Sequence, residues 1–287
     1  MSGRVFESRF LFRRMTSDKD RADANAMKEL AKSGNADAQY GLGQMYEKGK
    51  GVVKSDTEAV KWYSLSAEQG NVWAQCDLGR MYESGKGTPK DDKKAAGCYE
   101  KAAAAKDMWG QYCFGRMYAG GKGVSKDPGK AAELFGLAAD QGVLPAKYEL
   151  GMMYARGNGV KKDLNKACKL LTPVAESGNV WSQYELGRIF SKEEWSGKNE
   201  ENAAKWFKLA ADQGNDLAQY DLGKMYADGK GVKQNDKEAV RLYRLSADQG
   251  NSSAQYDLGW MYAAGRGVKK SEDEAAKWFT LSEKGKK

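Results

Sequence analysis

Apolar residues recur along the chain at the spacing of short amphipathic helices. After Gly34, the residues Ala38, Leu42, Met45 and Tyr46 fall three or four apart or side by side. A second set, Ala59, Trp62, Tyr63 and Ala67, follows a polar, glycine-bearing loop. Residues spaced in this way share one face of an α-helix, so the pattern predicts two helices, each apolar on one side. The whole pattern returns every 36 residues: Gly34, Gly70, Gly142, Gly178, Gly214 and Gly250 stand in register, with Lys106 in the remaining place. A helix pair this short cannot bury its own apolar face, and stacking supplies the missing surface. The prediction is an all-α chain, a right-handed α-solenoid of stacked helix-turn-helix repeats. Seven repeats are expected at 34–69, 70–105, 106–141, 142–177, 178–213, 214–249 and 250–283. Residues 15–33 align with a second helix and are expected to form a half-repeat cap; residues 1–14 read as a disordered leader and 284–287 as a basic tail.

Capping residues place the helix starts. Before the second helices stand Ser55, Asp91, Asp127, Asp163, Asn199, Asn235 and Ser271, and before six first helices Asn35, Asn71, Asp107, Asn179, Asn215 and Asn251. Each can accept a hydrogen bond from the free amides of a first helical turn. The glycine before the Asn reads as the left-handed residue that ends the previous helix. A second glycine column, Gly43, Gly79, Gly115, Gly151, Gly187, Gly223 and Gly259, falls in mid-helix, where Gly costs about 1 kcal/mol relative to Ala. Repetition of that cost implies that a neighbouring helix passes too close for a side chain.

The loop between the helices is Gly49-Lys50-Gly51-Val52, matched at Gly121-Lys122-Gly123-Val124, Gly157-Asn158-Gly159-Val160, Gly229-Lys230-Gly231-Val232 and Gly265-Arg266-Gly267-Val268. With this loop the unit resembles the Sel1-like repeat, a relative of the tetratricopeptide repeat, from about Gly34 to Glu283. The resemblance implies a non-catalytic adaptor that binds another protein, with the first helices lining a concave surface. In a bacterial source it also implies a narrower role, an immunity protein that blocks a secreted toxin.

Partner information belongs in columns that vary and face outward. On the first helix these lie four, seven and eleven positions after Asp37, opposite the core. Read through successive repeats they hold Trp73, Asp77 and Arg80; Trp109, Cys113 and Arg116; Glu149, Met152 and Arg156; Trp181, Glu185 and Arg188; Leu217, Asp221 and Lys224; Asp257 and Trp260. Trp and Arg are the side chains most enriched in binding hot spots, so this stripe is the expected partner site. A Trp in a first helical turn can instead lie over the previous repeat, and for Trp73 and Trp109 both readings stand. Pro173 is expected to interrupt and kink its helix. The loop after it, Lys192 to Lys198, departs from the glycine pattern and places Trp195 where it can plug the helix pair or touch a partner. Trp278 and Phe279, followed only by a lysine-rich end, are expected to be partly exposed or covered by a second copy.

Composition narrows the chemistry. The chain has no His, which removes imidazole catalysis and the commonest zinc ligand. Its four Cys lack a paired CxxC spacing, so a reducing, cytoplasmic setting is expected, with no catalytic residue, cofactor or metal site. No run approaches the roughly 20 apolar residues of a membrane span. The net charge of +8 comes largely from loop lysines such as Lys50, Lys54, Lys86, Lys122, Lys161 and Lys269. They form a basic edge without interleaved aromatics, which favours an acidic or aromatic-rich protein partner over nucleic acid. If the mid-helix glycines mark a close approach, Gly151→Leu lowers the thermal midpoint markedly; an unchanged midpoint would refute the close approach.

Overall fold

The computed structural model describes residues 18–193 and 195–284; the expected leader, residues 1–14, and residues 285–287 of the expected basic tail lie outside them. Among the described residues there are fifteen helices and no strand: α1 (Asp18–Lys32), α2 (Ala36–Lys48), α3 (Asp56–Glu68), α4 (Val72–Ser84), α5 (Asp92–Ala104), α6 (Met108–Gly120), α7 (Pro128–Asp140), α8 (Leu144–Arg156), α9 (Leu164–Glu176), α10 (Val180–Phe190), α11 (Glu200–Asp212), α12 (Asp216–Asp228), α13 (Asp236–Asp248), α14 (Ser252–Ala264) and α15 (Glu272–Lys284). The fold is an all-α solenoid in which even-numbered helices are the first, and odd-numbered the second, of each repeat. The chain divides into two compact units between Ala146 and Lys147. Within the first unit each helix from α1 to α7 packs on its successor, and within the second the same holds from α9 to α15.

The caps work as the sequence predicts. Asn35 Oδ1 accepts from the Ala38 amide at 2.8 Å, and the other five first-helix caps do the same three residues on. All seven second-helix caps are made too. The glycine before each Asn is left-handed, as at Gly70 with φ 89°. Lys106, which replaces that glycine in the third repeat, is forced to φ 62° and is the one non-glycine residue with positive φ among those described.

Repeats are joined through buried amides. Gln39 and Gln75 in the first unit, and Gln183, Gln219 and Gln255 in the second, donate Nε2 to a carbonyl at the end of the preceding second helix. In Gln39, Gln183 and Gln219 the Oε1 atom in turn accepts from the glutamine that ends the repeat, as Gln69 to Gln39 at 2.7 Å and Gln213 to Gln183 at 2.7 Å. A buried amide satisfied at both ends fixes the register of one helix pair on the next.

The mid-helix glycines answer to a side chain on the facing helix, a ring in every repeat but the fourth, and not to a helix backbone. A Cβ at Gly43 would lie 2.6 Å from the Tyr63 ring in the facing second helix, and one at Gly151 would lie 2.8 Å from Leu171. Gly51, in the loop, approaches backbone: its Cβ would stand 2.1 Å from the Asp20 carbonyl.

Three expectations are corrected. Pro173 does not interrupt its helix: α9 runs unbroken for the same 13 residues as most of its counterparts. The proline sits in the last turn, where only one backbone bond is lost, and buried Leu171, Val174 and Ala175 hold that turn in the core. Met152 is not on the outer stripe but buried with Ala155, Leu164 and Leu186, because an apolar chain at that position folds inward where an arginine extends. Trp278 is buried against Leu258 and Met261, and the half-buried Phe279 ring lies 5.4 Å from Tyr256. Trp278 is thus covered by its own and the preceding repeat, whereas Phe279 stays partly exposed, as expected.

Lys106→Gly removes the one strained left-handed side chain and is expected to raise the unfolding free energy by about 1 kcal/mol. Urea unfolding with an unchanged slope measures this; equal or lower stability would show that no strain resides there.

Candidate protein-binding surface

The face lined by the first helices is built from interlocked charges and open indoles. In the first unit the Tyr63 ring, seated under Gly43, directs its hydroxyl to Glu47 Oε2 at 2.8 Å. Arg80 of the next repeat donates to the same oxygen at 2.8 Å, and Lys86 to Oε1 at 3.1 Å. Arg80 also grips Asp77 at 3.0 Å, while the Tyr40 hydroxyl donates to the other oxygen of Asp77 at 3.0 Å. The unit repeats one step on: Tyr99 donates to Glu83 at 3.2 Å, and Arg116 and Lys122 lie 3.4 and 3.6 Å from that carboxylate. Burial pushes the Glu47 carboxyl up, but hydrogen bonds from Arg80, Tyr63 and Lys86 outweigh it and hold its pKa at about 2.

In the second unit the cations stay nearer home. Arg188 pairs with Glu185 at 3.1 Å and lies over the Tyr184 ring, and Lys224 lies over the Tyr220 ring. Tyr184 and Tyr220 are hydrogen-bonded to Asp221 and Asp257, whose carboxyls burial pushes above the ordinary range. Glu149 is half-buried and engaged, and Arg156 is exposed. Trp195 is half-buried, its ring 5.3 Å from Phe190 and its indole nitrogen donating to Asn165 at 3.2 Å, so its polar end is already used within the fold.

The indoles of the stripe are different. Trp73, Trp109, Trp181 and Trp260 are 59, 46, 51 and 54% exposed, whereas Trp62 and Trp278 are 8 and 6% exposed. Trp73 leans on Tyr40 at 6.1 Å and Trp109 on its helix neighbour Tyr112 at 6.1 Å, which orients each ring and leaves much of it uncovered. Trp73, Trp109, Arg80 and Arg116 border one open groove of about 310 Å³ floored by Tyr99 and Cys113. Arg188, Asp221 and Lys224 border another, of about 410 Å³, in the second unit.

Sequence reasoning found the Trp and Arg positions but missed Tyr40, Glu47, Tyr99 and Glu83, which hold the arginines. The signal was a column that carries Glu at 47 and 83 and Ala or Ser in later repeats. Among the described residues no group of three or more His, Cys, Asp or Glu could hold a metal ion, and no helix is long and apolar enough to cross a membrane. Several loop lysines lie in ion pairs, Lys86 with Asp56, Lys50 with Asp20 and Lys90 with Asp92.

Because the folded Glu47 pKa lies below the ordinary value of about 4.3, its contribution is complete above that pH and is lost as pH falls toward 2. Glu47→Gln is therefore expected to be less stable than the native chain at neutral pH and to converge with it through the acid range. A gap between the two that held constant down to pH 2 would contradict the brace.

The Sel1 repeat matches the chain seven times, at 36–71, 74–107, 110–143, 144–179, 182–215, 216–251 and 252–284. Among solved structures, the crystal structure of c5321, a protective antigen present in uropathogenic Escherichia coli strains, is 36% identical with a TM-score of 0.80. That alignment covers 91% of this chain and 56% of the antigen, so the chain spans little more than half of the antigen's length. A Sel1 repeat protein from Oxalobacter formigenes is 33% identical with a TM-score of 0.67, over 92% of this chain and 76% of that one. No curated protein matches. Seven consecutive matches with the glycine, glutamine and cap columns in register place the chain in the Sel1 repeat family, whose members are protein-interaction scaffolds.

Proposed function

We propose that this protein is a non-catalytic adaptor that holds a partner protein on the first-helix face of each unit, with Trp73 and Trp109 as anchors in the first unit and Trp181 and Trp260 in the second. The observation that carries this reading is the contrast in burial. A fold that encloses Trp62 and Trp278 leaves four other indoles about half exposed on one helix set. Exposed aromatic clusters of this kind mark interaction surfaces. The neighbouring charges are compensated: Arg80 by Glu47 and Asp77, Arg116 by Glu83, Arg188 by Glu185. The partner's complementary patch is therefore apolar or aromatic rather than strongly acidic, and the forked arginines serve as rigid walls around the indoles.

Two observations argue against catalysis. The chain lacks His, and burial pushes the thiols of Cys98, Cys113 and Cys168 up to about 11, which keeps them protonated and unreactive at neutral pH. Four unpaired cysteines fit a reducing compartment, the cytoplasm. An immunity role, in which the bound protein is a secreted toxin, is the narrower form of this proposal; a toxin gene beside this one is the observation that would support it.

The test is affinity capture from the native source with the wild type beside a variant carrying Trp109→Ala, Trp181→Ala and Arg188→Ala. These side chains are exposed, so the variant keeps its helical circular dichroism and thermal midpoint. Retention of the specific partner is expected to fall at least tenfold. A folded variant that retains every partner would defeat the assignment of this face.

A further inference from the structure

The second helices of the second unit carry, on their outward line, a pattern that the fold does not require. In α11 the side chains of Ala203, Phe207 and Ala210 are buried, and Lys205, Leu209 and Asp212 follow one another, a turn apart, on the opposite side of the helix. One repeat on, Arg241, Leu245 and Asp248 hold the same places in α13; one repeat back, Lys169, Pro173 and Glu176 hold them in α9. In α15 the three are Lys277, Leu281 and Lys284. All are exposed except Pro173, which is half-buried. Leu209, Leu245 and Leu281 are 47, 40 and 36% exposed. A lone exposed leucine needs no explanation, but three in register on consecutive second helices make an apolar ladder. The first unit has the same frame and breaks the pattern: Lys61, Leu65 and Glu68 are followed by Gly97, Lys101 and Ala104, and then by Glu133, Leu137 and Asp140.

The ladder runs between two rails of opposite charge. Lys169, Lys205, Arg241 and Lys277 stand one turn toward the helix N-termini, and Glu176, Asp212 and Asp248 one turn toward the C-termini, where Lys284 ends the acidic rail. Arg241 and Lys277 share their charge with Glu238 and Glu274, at 2.6 and 3.5 Å. The residues at that place before Lys169 and Lys205 are Lys166 and Asn202, so the basic rail is most positive there. Asp212 meets Lys208 at 3.7 Å, an exposed pair that a better-placed cation can displace. Glu238 is held below its ordinary range first by its bond to Arg241 and also by Lys208 of α11, so charges on neighbouring second helices reach one another. Within each helix the two rails are seven residues apart, about 10.5 Å along the axis. An α-helix with its side chains is about 10–12 Å across. One helix laid over the second helices therefore covers the leucines and sets a flank on each rail.

We infer that this surface binds an amphipathic α-helix of another protein, its apolar stripe on Leu209, Leu245 and Leu281, an acidic flank over Lys169 and Lys205, and a basic flank over Glu176, Asp212 and Asp248. Apolar anchors supply the adhesion in such docking, and opposed charges on the two flanks select the partner. An anionic membrane would also take leucines and cations, but the acidic rail borders the leucines throughout and repels it. The surface shares no residue with the Trp and Arg stripe of the first helices, so it stands or falls apart from the adaptor reading.

The test uses the full chain and fluorescence anisotropy with three synthetic helical peptides of equal length. All carry the same leucine stripe; one has Glu on one flank and Lys on the other, one has Glu on both, and one has Lys on both. The mixed peptide is expected to bind at least fivefold more tightly than either of the others. Leu209→Gln with Leu245→Gln, checked for native helical circular dichroism, is expected to weaken it at least tenfold. Lys169→Glu with Lys205→Glu is expected to shift the preference to the peptide with Lys on both flanks. The variant with Trp109→Ala, Trp181→Ala and Arg188→Ala is expected to bind the mixed peptide as the native chain does. The inference is overturned if no peptide binds, if all three bind equally, if the charge variant keeps the native preference, or if binding survives the leucine changes. Loss in the first-helix variant alone would place the peptide on the other face and overturn it too. Co-sedimentation with phosphatidylserine–phosphatidylcholine vesicles that depends on Leu209 and Leu245 would overturn it in favour of a lipid surface.

Discussion

The contact between a glycine in mid-helix and a side chain on the facing helix, a ring in every repeat but the fourth, governs the geometry of the helix pair. With no Cβ at Gly43, the Tyr63 ring lies against the first-helix backbone, and the two helices come as close as backbone and ring allow. The penalty of about 1 kcal/mol for a glycine in that position is offset by the area the ring buries. The ring also aims its hydroxyl. From Gly43 through Tyr63 to Glu47 and on to Arg80, a backbone approach is converted into the position of a guanidinium in the next repeat. Gly79, Tyr99, Glu83 and Arg116 repeat the chain of contacts. Before Arg188 the corresponding places hold Leu171 and Ala155, with neither a hydroxyl to aim nor a carboxylate to meet, and Arg188 turns to Glu185 on its own helix.

This explains why the charged stripe and the aromatic stripe, adjacent on the same helices, have different availability. An exposed arginine tied to two carboxylates gains little by exchanging them for a third, and exposed ion pairs are worth little in any case. An indole has only its area and one donor to offer, and covering that area by a partner is favourable in proportion to what is removed from water. Surface charge sets the rim of such a face, while the rings supply its adhesion.

Departures from the repeat matter most where two of them meet. Cys98 in a column of Trp and Leu leaves room, and Ala105, in a column that mostly carries Gln, leaves the Gln75 acceptor without its donor. Either alone is a modest local defect.

The sequence by itself determined what is local: the caps at Asn35 and Ser55, the left-handed glycines, the helix pair and the 36-residue register. These follow from bonds within one helical turn and from a periodicity that any stacked array must keep, so a single chain displays them openly. Only the tertiary structure decided which outward positions are free. Met152 folds into the core, Trp278 is covered by its own and the preceding repeat, Trp195 donates to Asn165, and Pro173 passes through the last turn of its helix. The partners of these side chains lie on other helices, about thirty residues away for Trp195. Choosing among such partners depends on rotamer, reach and the volume left by neighbours. A repeat column states the position of a residue, whereas packing across repeats decides whether that position is spent or open.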